Sequence, residues 1–250
     1  MKKIIQLTDT HLFASPDVMH YGINPYQNLS GIVHQIKGHH KDCDAIIVTG
    51  DLSQDDTVES YQQLVDILTP LGTPFFWLCG NHDVEEATMR AVCPHAMQKR
   101  VELGRWQLLL LNSKTPDAAY GTLSEGELSW LENQLRHHPQ NTVIALHHPP
   151  YKVGSEWIDT NNLRNIADFQ RIIKPCDHVK AVIHGHIHQQ HNADLVGIPC
   201  FATPSTSVQF MPDSETFQID RTRLPGYRVL TLMDDGQLDT EVIRVDSLQQ

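Results

Sequence analysis

Lys2-Lys3-Ile4-Ile5-Gln6-Leu7-Thr8-Asp9-Thr10-His11 decides how the rest of the chain is read. Its apolar part, Ile4 to Thr8, has the length and residue types of a buried strand, and it is far too short for the apolar region of a signal peptide. The strand runs directly into Asp9 and His11. In an extended segment, residues two apart point to the same side, so this carboxylate and imidazole would face one place.

The same arrangement recurs along the chain. Ala45 to Thr49 leads into Gly50-Asp51, Phe75 to Cys79 into Gly80-Asn81-His82-Asp83, Val143 to Leu146 into His147-His148-Pro149-Pro150, and Lys180 to Ile183 into Gly185-His186-Ile187-His188. Gln107 to Leu111 reads as a further strand. Loops beyond the carboxyl ends of strands in α/β folds converge on one crevice, which lets polar residues distant in sequence share a site. Glycines at 50, 80 and 185 permit tight turns or close backbone approach there.

Helical patterns lie between the strands. From Val58, the side chains of Tyr61, Leu64, Val65 and Leu68 keep the three-and-four spacing of one helical face. Ser124 and Glu127 form a capping-box pair ahead of Leu128, Leu131 and Leu135. A third helix is expected from Leu163 to Ile173, stopped by Pro175. Strands alternating with helices indicate an α/β fold. From about Gln189 the helices disappear, and Val196-Gly197-Ile198-Pro199 and Asp234-Asp235-Gly236 read as turns between strands. With no linker or repeat, residues 1–250 are expected to form one domain, in which 189–250 completes a second sheet.

Composition narrows the function. The 250 residues are 20% charged and 40% hydrophobic, which fits a soluble globular chain with no membrane span. A formal net charge of -11 argues against broad gripping of a nucleic-acid backbone, which needs many Lys and Arg contacts. The five cysteines form no Cys-x-x-Cys pair, and their odd number suits a reducing cytoplasm.

Sixteen histidines are the anomaly. His39, His40, His95, His137, His138 and His191 lie in polar stretches and are read as surface residues, while His148 and His184 flank apolar strands and are read as core histidines. The clusters that follow the strands supply Asp9, His11, Asp51, Asn81, His147, His186 and His188 as candidate ligands. Buried together without compensation they would be costly, and divalent cations supply the compensation. Seven oxygen and nitrogen donors exceed what one centre can use while admitting a substrate, so two ions fit better than one. A thiolate-free donor set suits iron, manganese or zinc.

The ordered set Asp-x-His, Gly-Asp, Gly-Asn-His-Asp, a His pair and Gly-His-x-His resembles the calcineurin-like metallophosphoesterase superfamily from Asp9 to His188. That resemblance implies a four-layer α/β/β/α sandwich of two mixed sheets flanked by helices. It implies a first metal on Asp9, His11, Asp51 and His188, and a second on Asp51, Asn81, His147 and His186. It gives His82 the phosphate contact and protonation of the leaving oxygen, with Asp83 orienting its imidazole.

A closer likeness lies outside these motifs. Asp9-Thr10-His11-Leu12-Phe13-Ala14, Leu163-Arg164-Asn165, Ala202 to Phe210 and Pro225-Gly226-Tyr227-Arg228 resemble bacterial class III 3′,5′-cyclic-AMP phosphodiesterases. This likeness implies Fe or Mn as the two metals, with Zn also admitted. It implies hydrolysis of cyclic AMP to 5′-AMP by in-line attack of a metal-bridging hydroxide, which would lower intracellular cyclic AMP. Substrate contacts are expected from His11, Asp51, Asn81, His82 and His188. His20 to Asn24 and Thr203 to Phe210 are candidate walls for ribose and base, the second segment being read equally well as a turn that closes a sheet. Broader phosphoesterase specificity and a non-catalytic scaffold stay open, as do a monomer and a homodimer.

Overall fold

The computed structural model describes residues 1–246. In chain order its elements are β1 (Lys2–Leu7), α1 (Pro25–His39), β2 (Ala45–Val48), α2 (Val58–Leu68), β3 (Phe75–Trp77), α3 (Glu86–Val92), β4 (Arg100–Leu103) and β5 (Trp106–Leu110). There follow α4 (Glu125–His137), β6 (Asn141–Ala145), α5 (Glu156–Asp159), α6 (Ile166–Ile173), β7 (Val179–His184), β8 (His191–Leu195), β9 (Ile198–Ala202), β10 (Gly226–Leu232) and β11 (Leu238–Arg244).

The strands form two mixed sheets, ordered β11-β10-β1-β2-β3 and β4-β5-β6-β7-β9-β8. Each has a parallel centre, β1-β2-β3 in one and β5-β6-β7-β9 in the other, with antiparallel pairs at its margin. Strand alternation sorts the apolar residues into layers. Ile5, Leu7, Ile46 and Val48 pack with Leu29, Ile32, Tyr61 and Leu64 of α1 and α2. Their neighbours Ile4, Ala45 and Ile47 point the other way and meet Leu108, Val143, Ala181 and Ile183 of the second sheet. On that sheet's far face, Leu109, Ile144 and Val182 pack with Leu131, Leu135, Phe169 and Ile173 of α4 and α6. The result is the α/β/β/α sandwich.

Helix starts follow local chemistry. The Thr57 side chain accepts the Ser60 N–H, and Ser124 accepts that of Glu127. The capping box at Ser124 is half formed. Glu127 does not return to the Ser124 N–H; its carboxylate takes Lys99 and the N–H of Asn112, which anchors α4 to the segment after β5. The expected third helix is shorter than its sequence pattern, because Leu163 bridges Gly121 in extended backbone and helical structure begins at Ile166.

The part from 189 onward, expected to complete the second sheet, divides between both sheets. β8 and β9 extend the second, whereas β10 and β11 cross to the first, where β10 lies antiparallel to β1. A buried polar bridge marks the crossing. Arg228 of β10 donates to Thr203 Oγ1 and to the Ala202 carbonyl, Thr203 donates to Gln6 of β1, and Gln6 donates to Thr49 and to the His184 carbonyl. A buried guanidinium is tolerated when its donors are used in this way.

Candidate active site

Five chain turns, each just beyond a parallel strand, carry the polar residues to one end of the sandwich. Asp9 and His11 follow β1, Asp51 follows β2, Asn81 to Asp83 follow β3, His147 and His148 follow β6, and His186 and His188 follow β7. The Asp9 N–H bonds the Gly50 carbonyl and the His11 N–H bonds that of Asp51, which lock the first two turns together. A Cβ on Gly80 would collide with Asp51, and one on Gly50 with the His147 ring, so both positions need glycine for close approach. The backbone itself is strained: Asp9, His11, Asp51, His186 and His188 all have positive φ, from 46° to 69°.

Ligand-type atoms of Asp9, His11, Asp51 and His188 lie within 4.8 Å of one another, and so do those of His147, His148 and His186. His188 Nε2 is 3.4 Å from Asp9 Oδ1, and His147 Nε2 is 3.3 Å from Asp51 Oδ2. Asn81 Oδ1 stands 3.2 Å from His147 Nε2, and His186 Nδ1 faces the same nitrogen at 3.2 Å. All seven expected donors therefore meet in one buried place.

Whether cations suit this place follows from the outer hydrogen bonds. His147 Nδ1 donates to the Thr49 carbonyl at 2.8 Å, His188 Nδ1 to the Val208 carbonyl at 2.7 Å, and His11 Nδ1 faces the Gln54 amide oxygen at 2.7 Å. An acceptor at Nδ1 keeps the proton there and turns the Nε2 lone pair inward, the usual support for a metal-bound imidazole. Inside the site these lone pairs confront one another. His11 Nε2 and His188 Nε2 are 3.1 Å apart, and His147 Nε2 is opposed by the Asn81 oxygen. Acceptors held this close in the interior fit two cations and no thiolate-bound metal.

The titration of the chain alone divides the imidazoles, with His147 holding a proton that a cation would displace. Burial would lower the His147 imidazole, but the carboxylates of Asp51 and Asp9 overcome it and raise its pKa to about 9. Burial depresses His11 to about 3, and it holds His186 well below the ordinary histidine range. Burial would raise Asp51, yet the imidazoles of His147 and His11 pull it well below the ordinary carboxylate range. The charged Asp51 and the neutral His11 and His186 are already in the forms that bind a metal, whereas His147 gives up a proton when a cation takes its Nε2.

Two expectations change at Asp83 and at 203–210. Asp83 does not orient His82. Its Oδ1 accepts from the N–H groups of Leu52 and Ser53 and from the Tyr61 hydroxyl, and its Oδ2 accepts the Gly80 N–H. Burial and then the charge of Asp51 raise Asp83 to about 7. The contact that places His82 comes instead from its own backbone N–H, which donates to Asp51 Oδ1 at 2.9 Å, with the side chain exposed beside His11. Residues 203–209 are a buried strap behind the ligands, with Ser205 donating to the Asp9 carbonyl and the Thr206 N–H to that of Thr8. Only Phe210 of this segment reaches the cavity at the site, whose volume is about 190 Å³. Of the other candidate wall, His20 and Tyr21 line this cavity, while Asn24 caps α1.

Of the two histidines read as core residues, His184 is fully bonded, to Tyr151 and to the Gly185 carbonyl. His148 is different. Ser113 holds its Nδ1 at 2.8 Å, while its buried Nε2 has no partner among the described residues and adjoins His186. Sequence spacing did not identify the supporting groups Thr49, Gln54 and Val208. Two of them act through backbone carbonyls, which leave no trace in residue type.

A two-sheet sandwich carrying buried carboxylate and imidazole groups at its strand ends defines a metal-dependent phosphoesterase architecture. The sequence profile described as calcineurin-like phosphoesterase matches residues 2–190, and the chain belongs to this family. It is 41% identical to a 3′,5′-cyclic adenosine monophosphate phosphodiesterase, CpdA, of Vibrio vulnificus, over 98% of this chain and 90% of that one. It is 39% identical to the CpdA of Escherichia coli K12, over 97% and 90%. Among solved structures, a dimetal phosphatase from Danio rerio shares the fold with a TM-score of 0.70 at 12% identity, covering 98% of this chain and 99% of that one.

Proposed function

We propose that this phosphoesterase hydrolyses 3′,5′-cyclic AMP to 5′-AMP and thereby lowers cyclic AMP in the cytoplasm. One observation carries the reading: the likeness to proteins named as cyclic-AMP phosphodiesterases runs through nearly the whole chain. It therefore includes the loops around the site as well as the metal motifs. The five cysteines are all free, which supports a reducing compartment. Among the described residues no helix is long and apolar enough to cross a membrane.

Asp9, His11, Asp51 and His188 would hold one cation and Asp51, Asn81, His147 and His186 the other, with iron or manganese favoured by the donor set and zinc admitted. A bound pair of this kind neutralises phosphoryl oxygens and lowers the proton affinity of a shared water. Asp51 lies between the two groups, touching both His11 and His147. His82, which lines the cavity, would contact the phosphate and give a proton to the departing ribose oxygen. Its backbone is fixed by Asp51, so the proton donor and the ligand set move as one unit. Asp83 acts as a positioning residue, tying the Gly80 turn to Leu52 and Ser53.

The test is a comparison of rates on 3′,5′-cyclic AMP, 2′,3′-cyclic AMP, a linear aryl diester and phosphate monoesters. The 3′,5′-cyclic ester is expected to give the highest kcat/KM. Negligible turnover of it, with good turnover of another substrate, would replace this reading.

A further inference from the structure

Among the exposed large apolar side chains are Tyr21 and Phe217, 50% and 42% accessible, and their rings are neighbours with centroids 5.6 Å apart. Phe217 also meets Trp157 edge-on at 5.1 Å and Phe210 at 5.3 Å, and Trp157 meets Phe210 at 5.2 Å. Phe210 in turn lies flat on His188, with centroids 3.9 Å apart and planes within 8°. Trp77 and Phe169 of the core are fully covered, whereas Trp157 rests on the cluster of Ile158 and Ile187 and stays only partly buried. The four rings are brought to one edge by two loops and α5 and left partly open to water, an unfavourable arrangement unless something lies against them.

The four rings line the same cavity as Asp51, Asn81 and His186. One end of that space is thus built for a phosphoryl group, while the other offers aromatic faces. A ligand that uses both ends has an anionic phosphate joined to a flat aromatic group, as a nucleotide does. Bases stack on such rings whatever their edge pattern, so edge selectivity needs a polar group. Asn161 lines the cavity too, and its side chain has no hydrogen-bond partner among the described residues. The other two amides there are committed, Gln54 to His11 and Asn81 to His147. An amide presents a donor beside an acceptor, which complements the N6/N7 edge of adenine and not the two acceptors O6 and N7 of guanine.

We infer that Tyr21, Trp157, Phe210 and Phe217 form a nucleobase-stacking ledge, with Asn161 reading the base edge in favour of adenine. The inference rests on the nucleotide reading above and extends it from the phosphate to the base. It also gives Phe210 two duties, since the ring that faces the base supports the His188 imidazole.

The experiment uses the full metal-loaded chain and measures binding of 5′-AMP, 5′-GMP and inorganic phosphate by equilibrium dialysis, beside turnover of 3′,5′-cyclic AMP. The wild-type chain is expected to bind 5′-AMP at least about tenfold more tightly than phosphate. Phe217→Ala, at an exposed position, and Trp157→Ala are each expected to weaken 5′-AMP roughly tenfold and leave phosphate within about twofold, the scale of losing one stacked ring. Asn161→Ala is expected to bring the affinities for 5′-AMP and 5′-GMP together. Unchanged 5′-AMP binding in Phe217→Ala would overturn the ledge, and an unchanged 5′-AMP to 5′-GMP ratio in Asn161→Ala would overturn the edge reading. Ledge-dependent binding without cyclic-AMP turnover would refute the proposed reaction and leave the ledge standing.

Discussion

Asp83 Oδ1 accepts the backbone N–H of Leu52 at 2.9 Å, across a gap of 31 residues. Through this bond, and those to Ser53, Tyr61 and Gly80, a carboxylate adjacent to His82 becomes the clamp between two site loops. Asp83→Ala removes one acceptor group from several buried donors. The expected cost is about 3 kcal/mol, or roughly 6–12 °C in Tm for a chain of this size. Asp83→Asn keeps one oxygen and should cost less. Thermal unfolding decides the matter: wild-type Tm together with lost turnover would return Asp83 to a direct role on His82.

Asn81 and His82 are adjacent, yet their replacements should separate cleanly. Asn81 places its side-chain oxygen against His147, so Asn81→Ala is expected to lower metal content from two ions per chain toward one and to depress kcat about 100-fold or more. His82→Ala should keep both ions and lose roughly 10²–10⁴ in kcat, with less loss for an aryl leaving group that departs without a proton. Elemental analysis beside steady-state kinetics reads both. Metal loss in His82→Ala would merge the two roles.

Chelation should destabilise the fold as well as stop turnover, because cations that bind only the folded chain add stability by mass action. With free metal at 100 times its Kd, one site contributes about 2.7 kcal/mol. Calorimetry of stripped and Mn-reconstituted protein is expected to show a Tm rise that follows metal concentration. A Tm indifferent to metal would mean that the buried donor cluster forms no cation site.

Acid stability offers a check far from the site. Asp44 is desolvated, which alone would raise its carboxyl, but the bonds from Lys2 Nζ and the Lys3 N–H outweigh burial and lower it below the ordinary value of 3.8. Folding thus weakens the carboxyl's hold on its proton. Its contribution is complete above the unfolded-state value and disappears as pH falls through the lower folded-state value. The Tm gap between wild type and Asp44→Asn should therefore be present at pH 7 and close in strongly acid solution. A gap that widens on acidification would contradict this ion-pair account.

The strands and the meeting of the seven donors were legible because both depend on local order: an apolar run ending in a glycine or a carboxylate. The reading failed where tertiary packing chose among local options. Glu127 has the position of a capping-box partner but is drawn to Lys99, and Asp83 sits beside His82 but is consumed by N–H groups that no sequence spacing reveals. The sequence reading did not assign α1, although Leu29, Ile32, Val33 and Ile36 carry helical spacing; Gly31 and Gly38 weaken its intrinsic preference. The route of β10 to the first sheet was hidden for another reason. Alternation shows that a segment is a strand without showing which edge receives it.

Asp9, His11, Asp51, His186 and His188 turn their backbones left-handed, a conformation that charges an L-residue about 1–3 kcal/mol apiece. Five of the ten non-glycine residues with positive φ among the described residues thus sit at one rim, at the corners that aim the imidazoles and carboxylates. Valine or isoleucine at any of these corners would meet a steric obstacle in addition to losing a donor atom. Glycine at one of these corners would release the strain and surrender the donor atom, so hydrolysis and backbone ease pull the same positions in opposite directions.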